Sequence, residues 1–374
     1  MSAPLDSAMS DPTPTLTASL PGIGGVLRAT VDDFLVEEVP AYEPCGQGEH
    51  TYARIEKRGL TTPMAVEHVA RALGVNPRDV GYAGLKDRHA TTTQWISLPR
   101  TDPARVLSLE LPGIRVLTAS RHGNKLRTGH LKGNRFTLRV TGIEDLDEAL
   151  RRAAPIADVI TREGVPNYYG EQRFGRDGDN FARGSAWLRG ESPAPREHFQ
   201  RKLLASSVQS ELFNRCLAER VTRGELSRWV DGDLAVRHAH GRPWLVTEAE
   251  AAELYPPFEA SATGPMFGPK MPVAGGALGE REAAVLAASG VSMGDLARAG
   301  ELAEGARRAV RVRAEGLAVT READALCFAF TLPSGAYATV VLREFMKSDP
   351  DDGLKPIGAG GIQPAPKAWS DEPR

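Results

Sequence analysis

The stretch Leu326-Cys327-Phe328-Ala329-Phe330-Thr331-Leu332-Pro333-Ser334-Gly335-Ala336-Tyr337-Ala338-Thr339 decides how this chain is organised. Leu326, Phe328, Phe330 and Leu332 recur at every second position, the pattern of a strand with one buried face. Pro333-Ser334-Gly335 supplies a turn, and a helix is predicted from there to about Met346. One strand and one helix cannot bury their apolar faces against each other alone, so this segment must rejoin a sheet built earlier in the chain. What lies between then reads as an insertion. Its texture agrees: Leu204, Val208, Leu212 and Cys216 repeat at helical spacing, and a Gly/Pro-rich stretch runs from Thr263 to Gly279.

Working toward the N-terminus, Asn134, Phe136, Leu138 and Val140 alternate with Arg135, Thr137 and Arg139, which predicts another strand with Asn134 and Phe136 on one side. A helix is expected from Leu146 to Ile160, followed by a break at Gly164-Val165-Pro166-Asn167. Between Gly25 and Pro40 the alternation puts Phe34, Val36 and Glu38 on one strand face and Leu35 and Glu37 on the other. Thr61-Thr62-Pro63 should open a helix carrying Val66, Val69, Ala70 and Leu73, closed by Gly74. Val80 to Gly84 reads as a short strand entering a tight turn, and Gln94 to Leu98 as the next strand. Asp87 sits in the loop between them.

The length of 374 residues suits two domains, and 41% apolar with 25% charged residues is ordinary for a folded protein. No apolar run approaches a membrane span, and no basic patch precedes an apolar run at the N-terminus. Cys45, Cys216 and Cys327 are too scattered for a redox or zinc pair. A cytoplasmic monomer is expected. Net charge is only −2, so any nucleic-acid surface must be local. Arg115 to Arg139 holds seven Lys or Arg residues, two His and no acid, which predicts a positive field on one face.

Lys86-Asp87-Arg88 by itself is most often a solvated turn. Here Gly81, Ala83 and Gly84 leave room for another molecule, and the uncharged Thr91-Thr92-Thr93-Gln94-Trp95 follows; the flanking cations favour a charged carboxylate. Phe34, Phe136 and Tyr337 fit either the core or a stacking platform for an unpaired base, with Asn134 and Glu38 near enough in sequence to read a base edge. His238 and His240 share a strand face but have no third ligand. Phosphate loops, GxGxxG, GxSxG and the zinc deaminase signature are all absent from the sequence. Carboxylate chemistry without metal or cofactor is what remains.

Gly84 to Trp95, reading GLKDRHATTTQW, closely resembles the catalytic motif of the TruD family of tRNA pseudouridine synthases. Further blocks resemble the family in the same order: Asp33 to Glu38, Leu131 to Leu138, Gly164 to Gly175, Val230 to Asp233, and Leu332 to Thr339. The likeness runs from about residue 22 to 347. It implies an α+β fold: a catalytic domain with a mixed, mostly antiparallel sheet from residues 22–163 and 309–350, and an inserted α/β TRUD module at 164–308. Residues 1–21 and 351–374 are expected to be disordered tails. The resemblance implies Asp87 as the catalytic aspartate, with Phe34, Asn134 and Tyr337 lining the uridine pocket and uridine 13 of tRNA as target. Phe136 is a further candidate ring. Lys86, Glu38, Lys132 and Arg173 are candidates for support or phosphate contact. Tyr169 and Tyr337 stand where Phe is common in the family, and the N-terminal tail is longer. Two rivals stay open at this point: an RNA-binding protein without catalysis, and a nucleosidase or glycosidase that cleaves the N-glycosidic bond.

Overall fold

The structure, a computed structural model, describes residues 13–175, 177–238 and 241–348. In chain order its strands are β1 (Val26–Leu27), β2 (Phe34–Pro40), β3 (His50–Arg58), β4 (Gly81–Tyr82), β5 (Thr91–Pro99), β6 (Ile114–His122), β7 (Leu131–Thr141), β8 (Val165–Pro166), β9 (Leu234–Arg237), β10 (Trp244–Leu245), β11 (Ala260–Met266), β12 (Ala306–Ala309), β13 (Arg311–Val312), β14 (Glu315–Arg321) and β15 (Leu326–Pro333). Of the helices, α1 (Thr62–Leu73), α2 (Pro103–Leu107) and α3 (Leu146–Glu163) precede the insertion. Within it lie α4 (Asn180–Arg189), α5 (His198–Thr222), α6 (Glu248–Leu254), α7 (Gly276–Ala288) and α8 (Met293–Arg298), and α9 (Ala338–Met346) closes the described chain.

Strand β15 pairs antiparallel with β7 over its whole length, setting Phe328 opposite Leu138, Phe330 opposite Phe136 and Leu332 opposite Asn134. The C-terminal strand therefore completes a sheet begun by the N-terminal residues. The sheet has nine strands in the order β14-β15-β7-β2-β5-β3-β6, with β1 on β7 and β4 on β5. Only β2 and β5 run parallel, so the architecture is α+β with a mixed, mostly antiparallel sheet.

Alternation drives the packing. Phe34, Val36, Phe136, Leu138, Phe328 and Phe330 turn one face inward against Ile156 and Ile160 of α3 and Phe345 of α9. Each such side chain contributes roughly 1.5–3 kcal/mol on burial. A second cluster seats α1 through Val66, Val69 and Leu73 on Ile55, Ile96 and Leu98. Thr61 caps α1 by accepting from the Met64 amide, and Gly74 ends it at φ 70°, a left-handed conformation that suits glycine.

The inserted residues build their own four-stranded sheet, β10-β9-β11-β12, against α5. Where the chain leaves and returns, β8 and β13 pair antiparallel, Val165 opposite Val312.

Three expectations need correction. Residues 13–21 are not a loose tail, because the Glu344 carboxylate of α9 accepts from the Leu16 and Thr17 amides at 2.8 and 3.0 Å and from the Thr17 hydroxyl at 2.7 Å. Residues 1–12 and 349–374 lie outside the described residues. The strand read across Gly25 to Pro40 is two strands, split by a 3-10 turn at Val31–Asp33 with Thr30 as its cap. Strand β5 begins at Thr91 and not at Gln94, since polar Thr91 to Thr93 pair across to Arg58, Lys57 and Glu56. No described helix is long and apolar enough to cross a membrane.

Candidate active site

The loop from Ala83 to Ala90 is fixed from beneath. Ala83 O accepts from the Gly129 amide at 2.8 Å, and the Lys86 amide donates to Thr62 Oγ1 at 2.9 Å. Lys57 Nζ donates to the carbonyls of Leu60, Lys86 and Asp87 at 2.6, 3.4 and 2.9 Å. Held this way, the loop sends Leu85 into solvent at 66% exposure and leaves the Asp87 side chain 38% exposed.

Lys86 turns away from Asp87. Its Nζ lies 2.8 Å from Glu38 Oε2, an ion pair by distance more than by hydrogen-bond alignment, and both side chains are buried. The other oxygen, Glu38 Oε1, accepts from the Trp95 amide at 3.3 Å. Phosphate contact by Lys86 and base reading by Glu38, both expected from sequence, are corrected: each group is enclosed and occupied by the other.

Asp87 instead has Arg28, whose Nη2 stands 3.5 Å from Asp87 Oδ2. The Arg28 side chain is 3% exposed, at a backbone φ of 61°, and its guanidinium lies 4.0 Å over the Phe34 ring. Sequence reasoning missed Arg28, because nothing in the local pattern distinguishes it from a surface cation. Phe34 thus serves as a platform for Arg28. Phe136 meets Phe34 edge-on at 6.3 Å and Phe330 at 5.6 Å, and only 6% of it is exposed. Neither ring has an open face, so an incoming base cannot stack on them as placed.

Of the remaining expected residues, Tyr337 is within electrostatic reach of Asp87, and Asn134 is placed by the sheet register. Asn134 lies opposite Glu38 on one side and Leu332 on the other, and its Oδ1 is buried with no hydrogen-bond partner among the described residues. Tyr337 is the residue before α9, reached from β15 through the Pro333 to Ala336 turn. Its ring is half-buried and meets Tyr169 at 6.1 Å. Gly170 permits this approach, for a Cβ there would sit 2.8 Å from Tyr337 Cδ1. Burial pushes the Tyr337 phenol above its ordinary range, opposed by Arg173 and Arg308 and reinforced by Tyr169 and Asp87. Tyr337 is thus within electrostatic reach of Asp87 on one side and of Arg173 and Arg308 of the insertion on the other.

Arg308 stacks on Tyr169 at 4.1 Å and donates to Asn167 Oδ1 at 2.6 Å and Gly335 O at 2.9 Å. Arg173 sits over the same ring at 5.4 Å and donates to Ser210 Oγ at 3.2 Å. Tyr169, Met266, Glu301, Glu304 and Arg308 line a cavity of about 490 Å³ beside this cluster. Lys132 is exposed at the start of β7, two residues from Asn134.

The basic block does not form one strip. Its strands β6 and β7 are separated by β3, β5 and β2. Arg139 is held by Asp33, Glu322 and Asp324, Arg135 by Glu37, and Arg115 by Glu56. Much of its charge is thereby neutralised. His238 stacks on Phe258 at 4.9 Å, and His240 lies outside the described residues. Among the described residues no group of three or more His, Cys, Asp or Glu could hold a metal ion.

The family model for tRNA pseudouridine synthase D (TruD) matches residues 13–194 and 197–345. This chain belongs to the TruD family. A tRNA pseudouridine synthase D of Anaeromyxobacter dehalogenans is 48% identical over 342 residues, covering 90% of this chain and 97% of that relative. One from Thermus thermophilus is 42% identical over 359 residues, covering 95% and 96%. A Methanosarcina mazei chain assigned to TruD has a similar crystal structure, with TM-score 0.74 at 26% identity, covering 90% of this chain and 96% of that one. The TruD-like block Val230 to Asp233 has a structural role here: Asp233 is buried in a two-pronged pair with Arg220 at 2.7 and 2.8 Å.

Proposed function

We propose that this chain isomerises uridine 13 of tRNA to pseudouridine with Asp87 as the catalytic carboxylate. The reaction breaks the bond between ribose C1′ and uracil N1, turns the base, and rejoins it through C5, so no atom is gained or lost. Attack of the carboxylate on the sugar or base and removal of a ribose proton to give a glycal are the two routes open to one carboxylate. Either needs the uridine out of its stack, at a cost of a few kcal/mol that contacts in the site must offset.

The observation that supports the reading is a partly exposed Asp87 carboxylate within electrostatic reach of the Tyr337 phenol, joined by a buried Asn134 Oδ1 that has no hydrogen-bond partner among the described residues. A buried acceptor without a donor costs roughly 1–3 kcal/mol, which the N–H of a uracil edge would recover. Tyr337 is less enclosed than Phe34 or Phe136, and the reading assigns it the stacking role. The exposed Lys132 and the Arg173 guanidinium on the insertion side are assigned to receive backbone phosphates.

For a two-carboxylate glycosidase scheme, Glu38 is not available as the second acid, since it is buried against Lys86. Asp87→Asn should bind tRNA about as well as the parent while turnover falls by at least about a thousandfold. Retained pseudouridine formation by that variant refutes the assignment, and release of free uracil by the parent favours cleavage over isomerisation.

A further inference from the structure

We infer that Lys57 is a positioning residue: its buried ammonium fixes the backbone of the Asp87 loop and presents positive charge to the carboxylate from behind. The inference rests on Asp87 being the catalytic group. Lys57 is fully buried near the end of β3, between Thr92 of β5 and Ile114 of the edge strand β6. Burying an ammonium is costly unless every N–H finds an acceptor. All three find one here, and all are backbone carbonyls: Leu60 at the approach to α1, and Lys86 and Asp87 in the loop.

Three carbonyls need a donor here but not a charge: a loop of this length can be anchored by neutral donors, as Lys86 N on Thr62 Oγ1 already does. What a lysine adds is a field. Its charged neighbours are Asp87, which favours the ammonium, and Lys86, which opposes it, and burial outweighs both. Lys86 is compensated by Glu38, and Arg28 approaches Asp87 through its side chain, so Lys57 and Arg28 address the same carboxylate from different elements. Thr92 and Ile114, across the neighbouring strands, carry no charge.

Burial lowers the Lys57 ammonium to about 8, far below a free lysine. Loss of its proton removes one donor from the carbonyl cage and the positive charge behind Asp87. The rate of the chemical step should therefore fall as pH rises through about 8.

The test is single-turnover pseudouridine formation on tRNA transcript as a function of pH, for the parent, Lys57→Met and Asp87→Asn, with tRNA affinity measured in parallel. At neutral pH, Lys57→Met should bind tRNA nearly as the parent does and react about 100-fold more slowly, the size of effect that a small misplacement of a reacting group produces. Its residual rate should also lose the alkaline fall, which a purely structural defect would leave in place. A Lys57→Met protein with the parent's rate, or with the parent's alkaline fall intact, overturns the inference. Should Lys57→Met fail to fold, Lys57→Arg takes its place: a charge fixed at all working pH should move the alkaline fall up by more than about one pH unit. An unmoved fall overturns the inference there too. An active Asp87→Asn instead removes the assignment of Asp87 beneath it, so the two failures are told apart.

Discussion

At the scale of single residues, the proposed reaction asks Tyr337 for the ring and Asn134 for the acceptor that an extruded base requires. Tyr337→Phe keeps the ring against Tyr169 and should change the rate by less than about threefold, because stacking needs the face and not the hydroxyl. Tyr337→Ala should cost about 1–3 kcal/mol, or roughly 5- to 150-fold, in kcat/KM measured on tRNA. Equal effects from both variants would assign the role to the phenol. Lys57 also marks stability. Its folded value of about 8 lies below the unfolded 10.5, so between these pH values the unfolded chain binds more protons. This group's contribution to stability therefore rises with pH across that window and is flat below it. In denaturant titrations the parent should gain stability relative to Lys57→Met as pH rises from about 8 to about 10.5, and a constant difference would contradict the lowered value. The placement of Asp87 in a loop, Asn134 on a strand and Tyr337 just before a helix was legible in the sequence, because local pattern sets each. Arg28 and Lys57 were not, since their meaning comes from a loop about thirty to sixty positions away that only the fold brings to them.

At the scale of elements, buried ion pairs hold the insertion together. Asp233 takes both arms of Arg220 and the Val230 amide at 2.9 Å, and it is fully buried. Removing one partner of such a pair costs roughly 3–5 kcal/mol, so Asp233→Asn should lower Tm markedly while tRNA isomerisation at low temperature persists. A variant that melts with the parent would show that the pair is dispensable. Gly232 beside it has φ 86°, and a Cβ there would strike Gly275 O, so the same four-residue block joins two loops of the insertion. At the other end, Glu344→Leu should release residues 16–17 from α9 and cost about 2–4 kcal/mol, read as an earlier denaturant midpoint. The strands were readable from period-two alternation, but that pattern reports burial on a face and not which faces stay open. Phe136 illustrates the limit: its alternation placed it correctly beside Asn134, and only the neighbouring rings show that it is enclosed.

At the scale of the whole molecule, a sheet closed by a strand almost two hundred residues downstream brings Tyr337 within electrostatic reach of Asp87, Arg173 and Arg308. The rejoining was legible because an amphipathic strand and helix need partners. The distribution of charge was not, because Arg139 and Arg135 lie beside acids contributed by other strands and loops. The salt dependence of tRNA binding should follow this pairing. Lys132→Ala should reduce the slope by about one, and Arg139→Ala, already neutralised in the free protein, should leave it unchanged. The reverse order would place the RNA on the opposite side of the sheet. The most direct measurement is nucleotide-resolution mapping of pseudouridine in a tRNA transcript incubated with the parent or with Asp87→Asn. A single new pseudouridine at position 13, present with the parent and absent with the variant, is the predicted result; an unmodified uridine 13 with the parent, or a modified one with the variant, contradicts it.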